Sequence, residues 1–143
     1  MSTATMASAT PEATSLAADL VQAQLDAYNA HDVEALIATY ATDARQYEYP
    51  DRLLAKGVQA LRERMATRFD TSRPHAQLLH RIALGNTVID HERIVNQTPD
   101  GPVVRELIAI YEIDGTPSVG TGGATAVGRI VSARFVFGDE RPA

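Results

Sequence analysis

Two histidines stand at positions that could move a proton together. His80 and His91 flank Gly85-Asn86, a strong two-residue hairpin turn, and counting outward from it sets them directly opposite each other. Imidazole titrates near neutral pH, so a side-by-side pair on a largely apolar face could serve acid–base chemistry in a pocket. The same pair could equally be a hydrogen-bonded structural contact or part of a subunit contact. Glu48 is the third candidate. It lies between Tyr47 and Tyr49, and if it points inward, burial raises its pKa and makes it a general base. Strand alternation puts Tyr47 and Tyr49 on the face opposite Glu48. As the larger apolar bodies, the tyrosines are the expected pocket lining, with hydroxyls to orient a ligand.

The turn also assigns the rest of the hairpin. Leu84 falls opposite Thr87, Ile82 opposite Ile89, and Arg81 opposite Asp90. One face then carries Leu78, His80, Ile82, Leu84, Ile89, His91 and Arg93. The other carries Gln77, Leu79, Arg81, Asp90, Glu92 and Ile94. Apolar content favours the first as the inward face, with Ile82 and Ile89 against a ligand. Arg81 and Asp90 are then expected as a surface pair worth up to about 1 kcal/mol. In a later strand Leu107, Ala109 and Tyr111 share an apolar face, and Leu107 and Tyr111 are expected in the pocket. His31 and His75 are expected to be exposed.

Other chemistries lack their residues. Two imidazoles need a third metal ligand, and no H-E-x-x-H spacing supplies one. Gly120 to Gly123 lacks the G-x-x-x-x-G-K-[ST] pattern of a phosphate loop, and no G-x-S-x-G elbow occurs. Neither a metal nor a cofactor is expected.

The elements that must position these residues follow from periodicity. Ala17, Val21, Leu25 and Tyr28 recur at helical spacing, with Leu16 and Leu20 beside them. Asp32 is a natural N-cap for a short helix burying Val33, Leu36, Ile37 and Tyr40. A strand over 45–49 ends at Pro50-Asp51. A third helix starts near Gly57, burying Val58, Leu61, Met65 and Phe69, with Arg62, Arg64 and Arg68 as its solvated face. Strands are expected over 75–84, 87–95, 103–113 and 129–137, with the last two paired. The five-glycine segment between them, 114–128, reads as a lid or a disordered loop.

The 143 residues suffice for one core. A net charge of −5 argues against nucleic acid as a partner, since no basic stripe exists. No run of about eighteen apolar residues predicts a membrane span. The Ala-, Thr- and Ser-rich segment 1–15 reads as a mobile tail, and 139–143 as a second tail. With no cysteine, the expected location is the cytoplasm.

Three motifs in order carry a resemblance: Tyr28-Asn29-Ala30-His31-Asp32, Tyr40-Ala41-Thr42-Asp43-Ala44, and the end strand Gly128-Arg129-Ile130-Val131-Ser132-Ala133-Arg134-Phe135-Val136-Phe137-Gly138. With them, residues 16–138 resemble the nuclear transport factor 2-like superfamily, and within it the ketosteroid-isomerase-like and SnoaL-like branches. The resemblance implies an α+β fold, a cone-shaped, curved, mixed or antiparallel sheet wrapped as a barrel around three N-terminal helices. It implies a homodimer with an apolar pocket for a small hydrophobic molecule, and an insertion over 115–128 in the last hairpin. It further implies cofactor-independent acid–base catalysis of isomerase, cyclase or dehydratase type. The alternative is a non-catalytic binding or scaffold module, since the superfamily hosts both. Carried over residue by residue, the isomerase tyrosine falls on Gln24, its base on Glu48 or Tyr49, and its second donor on Ala109. That set argues against a genuine ketosteroid isomerase. The Arg-x-Asp of limonene epoxide hydrolases also fails, because Val95 follows Arg93 where the aspartate belongs.

Overall fold

A computed structural model describes residues 11–115, 118–119, 125–126 and 128–143. Three helices come early: α1 (Pro11–Asn29), α2 (Val33–Ile37) and α3 (Val58–Ser72). The strands are β1 (Tyr40–Glu48), β2 (Arg52–Lys56), β3 (His75–Leu84), β4 (Thr87–Asn96), β5 (Val103–Asp114), β6 (Ser118–Val119), β7 (Thr125–Ala126), β8 (Arg129–Phe137) and β9 (Arg141–Pro142). The main sheet runs β2-β1-β8-β5-β4-β3, with β9 added at the far end of β5. Among the described residues only β1 and β8 pair in parallel. The expected pairing of β5 with β8 is present.

The expected cone-shaped barrel is not. β2 and β3 are the ends of the strand order and do not pair, so the mixed sheet is open and not strongly curled. Closure needs a hydrogen-bonded ladder between the two edge strands, and among the described residues β2 pairs with β1 and β3 with β4, not with each other. The helices instead cover one face, α1 against β3 and β4, α3 against β1 and β2. Their buried stripes are Ala17, Val21 and Leu25 on α1 and Leu61, Met65 and Phe69 on α3, at the spacing the sequence predicts.

Boundaries moved where tertiary pairing recruits more chain. Helix α1 begins at Pro11, inside the expected tail, with Ala13 buried and Thr14 Oγ1 accepting from the Gly85 amide. Tyr40 opens β1 instead of ending α2, because it pairs with Ile130 of β8. Strand β2 was not legible at all. Residues 141–142 pair with β5 and are no free tail. Within 115–128 the description is confined to the two end glycines and the backbone pairing of β6 with β7. The expected lid otherwise lies outside the described residues.

The hairpin registers as counted near its turn, including His80 opposite His91 and Arg81 opposite Asp90. A β-bulge then inserts Leu79, so that Leu78 pairs with Glu92 and faces away from His80. The inward face is the one carrying Ala76, Arg81, Val88, Asp90, Glu92 and Ile94, opposite to the expectation from apolar content. Asp90 is wholly buried, and Arg81 grips both its oxygens at 2.7 and 2.9 Å while reaching Gln22 of α1 at 2.9 Å. The surface pair is a buried one.

The helix corner ties this sheet to α1. Asn29 donates to the Ala76 carbonyl at 2.9 Å and accepts from its amide at 2.8 Å, standing in for a neighbouring strand. His31, half-buried rather than exposed, stacks on Phe69 and donates to the Pro74 carbonyl at 2.6 Å.

Arg81→Met leaves the Asp90 charge buried without its partner and is expected to cost about 3 kcal/mol in urea unfolding. The double change Arg81→Met, Asp90→Leu should recover most of it. Equal losses in the single and double variants would show that the pair is not what stabilises this face.

Candidate functional site

Between the helices and the inner sheet face lies a cavity of about 360 Å³. Strand alternation delivers its floor: Glu92, Ile94 and Asn96 from β4, Arg105, Leu107 and Tyr111 from β5, Phe135 and Phe137 from β8, Gln46 and Glu48 from β1. Across the strands these form rows, Glu92 beside Leu107 and Phe137, and Glu48 beside Phe135. The roof comes from α1 (Gln24, Leu25, Tyr28) and α3 (Arg64, Met65, Arg68). The expected apolar pocket is thus apolar along its walls and polar at its base.

Glu92 is its most perturbed acid. It is 5% exposed, and its Oε2 has no hydrogen-bond partner. Burial pushes its carboxyl up to about 7, the neighbouring Asp90 charge adds to the shift, and Arg81 opposes it. Arg81 neutralises Asp90 directly but reaches Glu92 only as a weaker counter-charge. A carboxyl poised near 7 can both take and return a proton at neutral pH.

Three tyrosine hydroxyls surround the base. Tyr111 donates to Gln24 Oε1 at 3.3 Å. Gln46 donates to the Tyr40 hydroxyl at 3.2 Å and accepts from Arg64 at 2.7 Å. Arg68 donates to the Tyr28 hydroxyl and to Asn96 Oδ1, both at 2.9 Å. Burial raises all three phenols, Tyr40 to about 12, so they stay protonated and act as neutral donors. Burial lowers Arg64, and the nearby Arg68 charge adds to this, yet a guanidinium remains charged. At the mouth Glu48 is held by Arg52 at 2.6 Å, and Arg105 lies over the Phe137 ring at 4.8 Å.

The structure therefore brings Glu48, Leu107 and Tyr111 to the cavity. Tyr47 lies on the other sheet face under the Arg134 guanidinium, and Tyr49 is 54% exposed. His80, His91, Ile82 and Ile89 are on that outer face too. The two imidazoles stack at 5.5 Å, His91 bonds Glu106 at 2.6 Å, and Ile82 is 68% exposed. Of the isomerase-like positions, Gln24 and Glu48 line the cavity, while Ala109 is buried in the sheet without a polar group to offer. The residues not foreseen are Glu92, Gln46, Arg64 and Arg68. A signal for Glu92 existed in β5, whose Leu107–Tyr111 face, carried across the register, selects Asp90 and Glu92 as inward. That register passes through the 97–102 loop, which leaves it open in the sequence. Among the described residues no group of three His, Cys, Asp or Glu side chains could hold a metal, and no helix is long and apolar enough to cross a membrane.

Helices over one face of an open mixed sheet, enclosing a pocket with a buried acid, define the class as a nuclear transport factor 2-like fold. Residues 21–116 match the SnoaL-like domain, and the chain belongs to that family. None of the curated proteins matches it. Solved structures similar to it include an LEH-like epoxide hydrolase of M. tuberculosis, at TM-score 0.71 and 17% identity over 89% of this chain and 85% of that one. Another is a hypothetical protein with ketosteroid isomerase-like fold from Catenulispora acidiphila, at TM-score 0.65 and 13% identity over 83% and 85%. A third is the epoxide hydrolase/cyclase-like enzyme SalBIII of salinomycin pyran-ring formation, at 0.67 and 17% over 85% and 90%. At these identities the likeness is one of fold.

Glu92 makes stability depend on pH. Below its ordinary value of 4.5 the residue is protonated in both folded and unfolded chains and costs nothing. Between 4.5 and about 7 the unfolded chain ionises while the folded chain keeps its proton, so stability falls as pH rises. Glu92→Gln should therefore gain on the parent protein by up to about 3 kcal/mol across that window, and no further above it. Urea unfolding at several pH values measures the difference, and a flat difference would mean that Glu92 titrates normally.

Proposed function

We propose that the pocket is the active site of an acid–base enzyme for a small, largely hydrophobic organic molecule, with Glu92 as the proton-transfer group. The observation that carries this reading is a buried carboxyl on a cavity-lining residue, with one oxygen lacking a hydrogen-bond partner and burial pushing its pKa up to about 7. Glu92 takes a proton from a carbon acid or hydroxyl of the ligand and returns it to the product, so no net proton is consumed. Tyr28 and Gln24 orient the ligand from the roof, and Leu107, Phe135 and Phe137 hold its apolar body. The chemistry needs no cofactor. Glu48, fixed by Arg52 at the mouth, is the second acid–base candidate.

The similar structures suggest the reaction panel: epoxide hydrolysis, pyran-ring formation and ketosteroid isomerisation. With any substrate turned over, kcat/KM should rise through an apparent pKa near 7. Glu92→Gln should lower it roughly a hundredfold or more with the fold intact. Full activity in Glu92→Gln would remove this residue from the chemistry. Binding without turnover across the panel would favour the alternative, a non-catalytic binding module.

A homodimer belongs to the same reading. The outer sheet face carries Ile82, Ile89, Ile108, Ile110 and Val136 in adjacent rows, with Ile82 and Leu84 each 68% exposed. Two of its polar pairs are satisfied within the chain, His91 with Glu106 and Arg134 with Glu112. A second copy brings the same apolar rows, so it is the occupant this face suits. Light scattering should give twice the chain mass, and Ile82→Glu with Ile108→Glu should give single chains. A parent protein that is already monomeric at high concentration would reject the dimer.

A further inference from the structure

The charges inside the cavity do not balance. Glu48 and Arg52 cancel each other at the mouth, and Glu92 holds its proton up to about neutrality. Arg64, Arg68 and Arg105 also line the cavity, and none has a carboxylate at ion-pair distance among the described residues. Their bonds run to neutral groups instead: Arg64 to Gln46, Arg68 to Tyr28 and Asn96, Arg105 to the Gly138 carbonyl at 3.2 Å. A guanidinium has five donors, so each keeps several uncommitted. This concentration of positive charge sits in a chain whose net charge is −5. Chains seldom hold two cations one helical turn apart in a desolvated cleft without an anion to meet them.

We infer that the ligand is a small organic carboxylate, its anionic end held by Arg64 and Arg68 and its hydrocarbon body laid against Leu107, Phe135 and Phe137. Guanidinium matches a carboxylate through paired N–H donors, and these two project from successive turns of α3 over the same cavity. Arg64 also stands over the Phe135 ring at 5.9 Å, which places the cationic end beside the aromatic wall. A monoanion suits the site better than a doubly charged phosphate, because Glu92 lines the same cavity and the buried Asp90 charge stands two residues from it on β4. Tyr28 accepts from Arg68 at 2.9 Å and lines the same cavity as Glu92. This inference rests on the pocket being the ligand site but not on Glu92 being catalytic.

The test is a binding comparison on the full chain at pH 6, using matched acids and amides: benzoate with benzamide, cyclohexanecarboxylate with its amide, 2-naphthoate with 2-naphthamide. Calorimetry or ligand-observed NMR should show each acid binding roughly tenfold or more tightly than its amide. Arg64→Gln and Arg68→Gln should each erase that preference, and Arg64→Lys and Arg68→Lys should keep part of it. Circular dichroism and Tm establish that the variants remain folded. Glu92→Gln should retain the preference, which separates this outcome from failure of the catalytic reading. Equal affinity for acids and amides, binding of neither series, or a preference that survives both glutamine variants overturns the inference.

Discussion

The Arg81–Asp90 pair is the interaction on which the pocket depends. Asp90 is wholly buried, and a lone carboxylate there would be too costly to keep. Arg81 compensates it by bonding both oxygens from the neighbouring strand, and Gln22 of α1 steadies the guanidinium from above. With Asp90 pinned inward, alternation carries Glu92, Ile94 and Asn96 inward too. The same charge then acts along the strand on Glu92 and adds to the effect of burial in holding its proton. One ion pair thus sets the face of a strand, the docking of a helix and the character of an acid two residues away.

Sheet and helices contribute opposite things to the cleft. The sheet supplies the acid and the apolar walls, from strands whose inward residues are fixed by pairing. Helix α3 supplies Arg64 and Arg68 and α1 the hydroxyl of Tyr28, Arg105 comes from β5, and the Gln46 and Asn96 amides bridge the layers by bonding the two helix arginines. These neutral bridges hold the arginines without quenching them. The consequence is a cluster of cationic side chains on the cavity of a chain whose net charge is −5.

Much of the fold was legible because it depends on local physics. The stripe of Leu61, Met65 and Phe69, the Asp32 cap that accepts from Ala35, and the Gly85-Asn86 turn each act within a few residues. Gly85 takes a φ of +59, the left-handed backbone such a turn needs. The site was legible in fragments. Leu107 and Tyr111 lie on the cavity, and so does Glu48, which alternation sets on the face opposite the expected lining of Tyr47 and Tyr49, whereas Arg64 and Arg68 read as the wet side of α3. A charged helix face looks the same in sequence whether water or a cleft lies beyond it. The hairpin misled for a related reason: its isoleucines outweigh Arg81, Asp90 and Glu92 in apolar content, yet stand on the exposed face.

By itself, then, the sequence determined the helices and the hairpin pairing of His80 with His91, which rest on periodicity, capping and turn geometry, all short in range. The family was legible separately, through the resemblance carried by three motifs in order. Tertiary structure alone decided that the sheet stays open, that a bulge at Leu79 splits Leu78 from His80, and that Glu92 rather than a histidine meets the cavity. Which face of β4 is buried turns on an ion pair between two strands and the helix that covers it. Its energy comes from desolvation and partner geometry, and neither exists until the chain has folded.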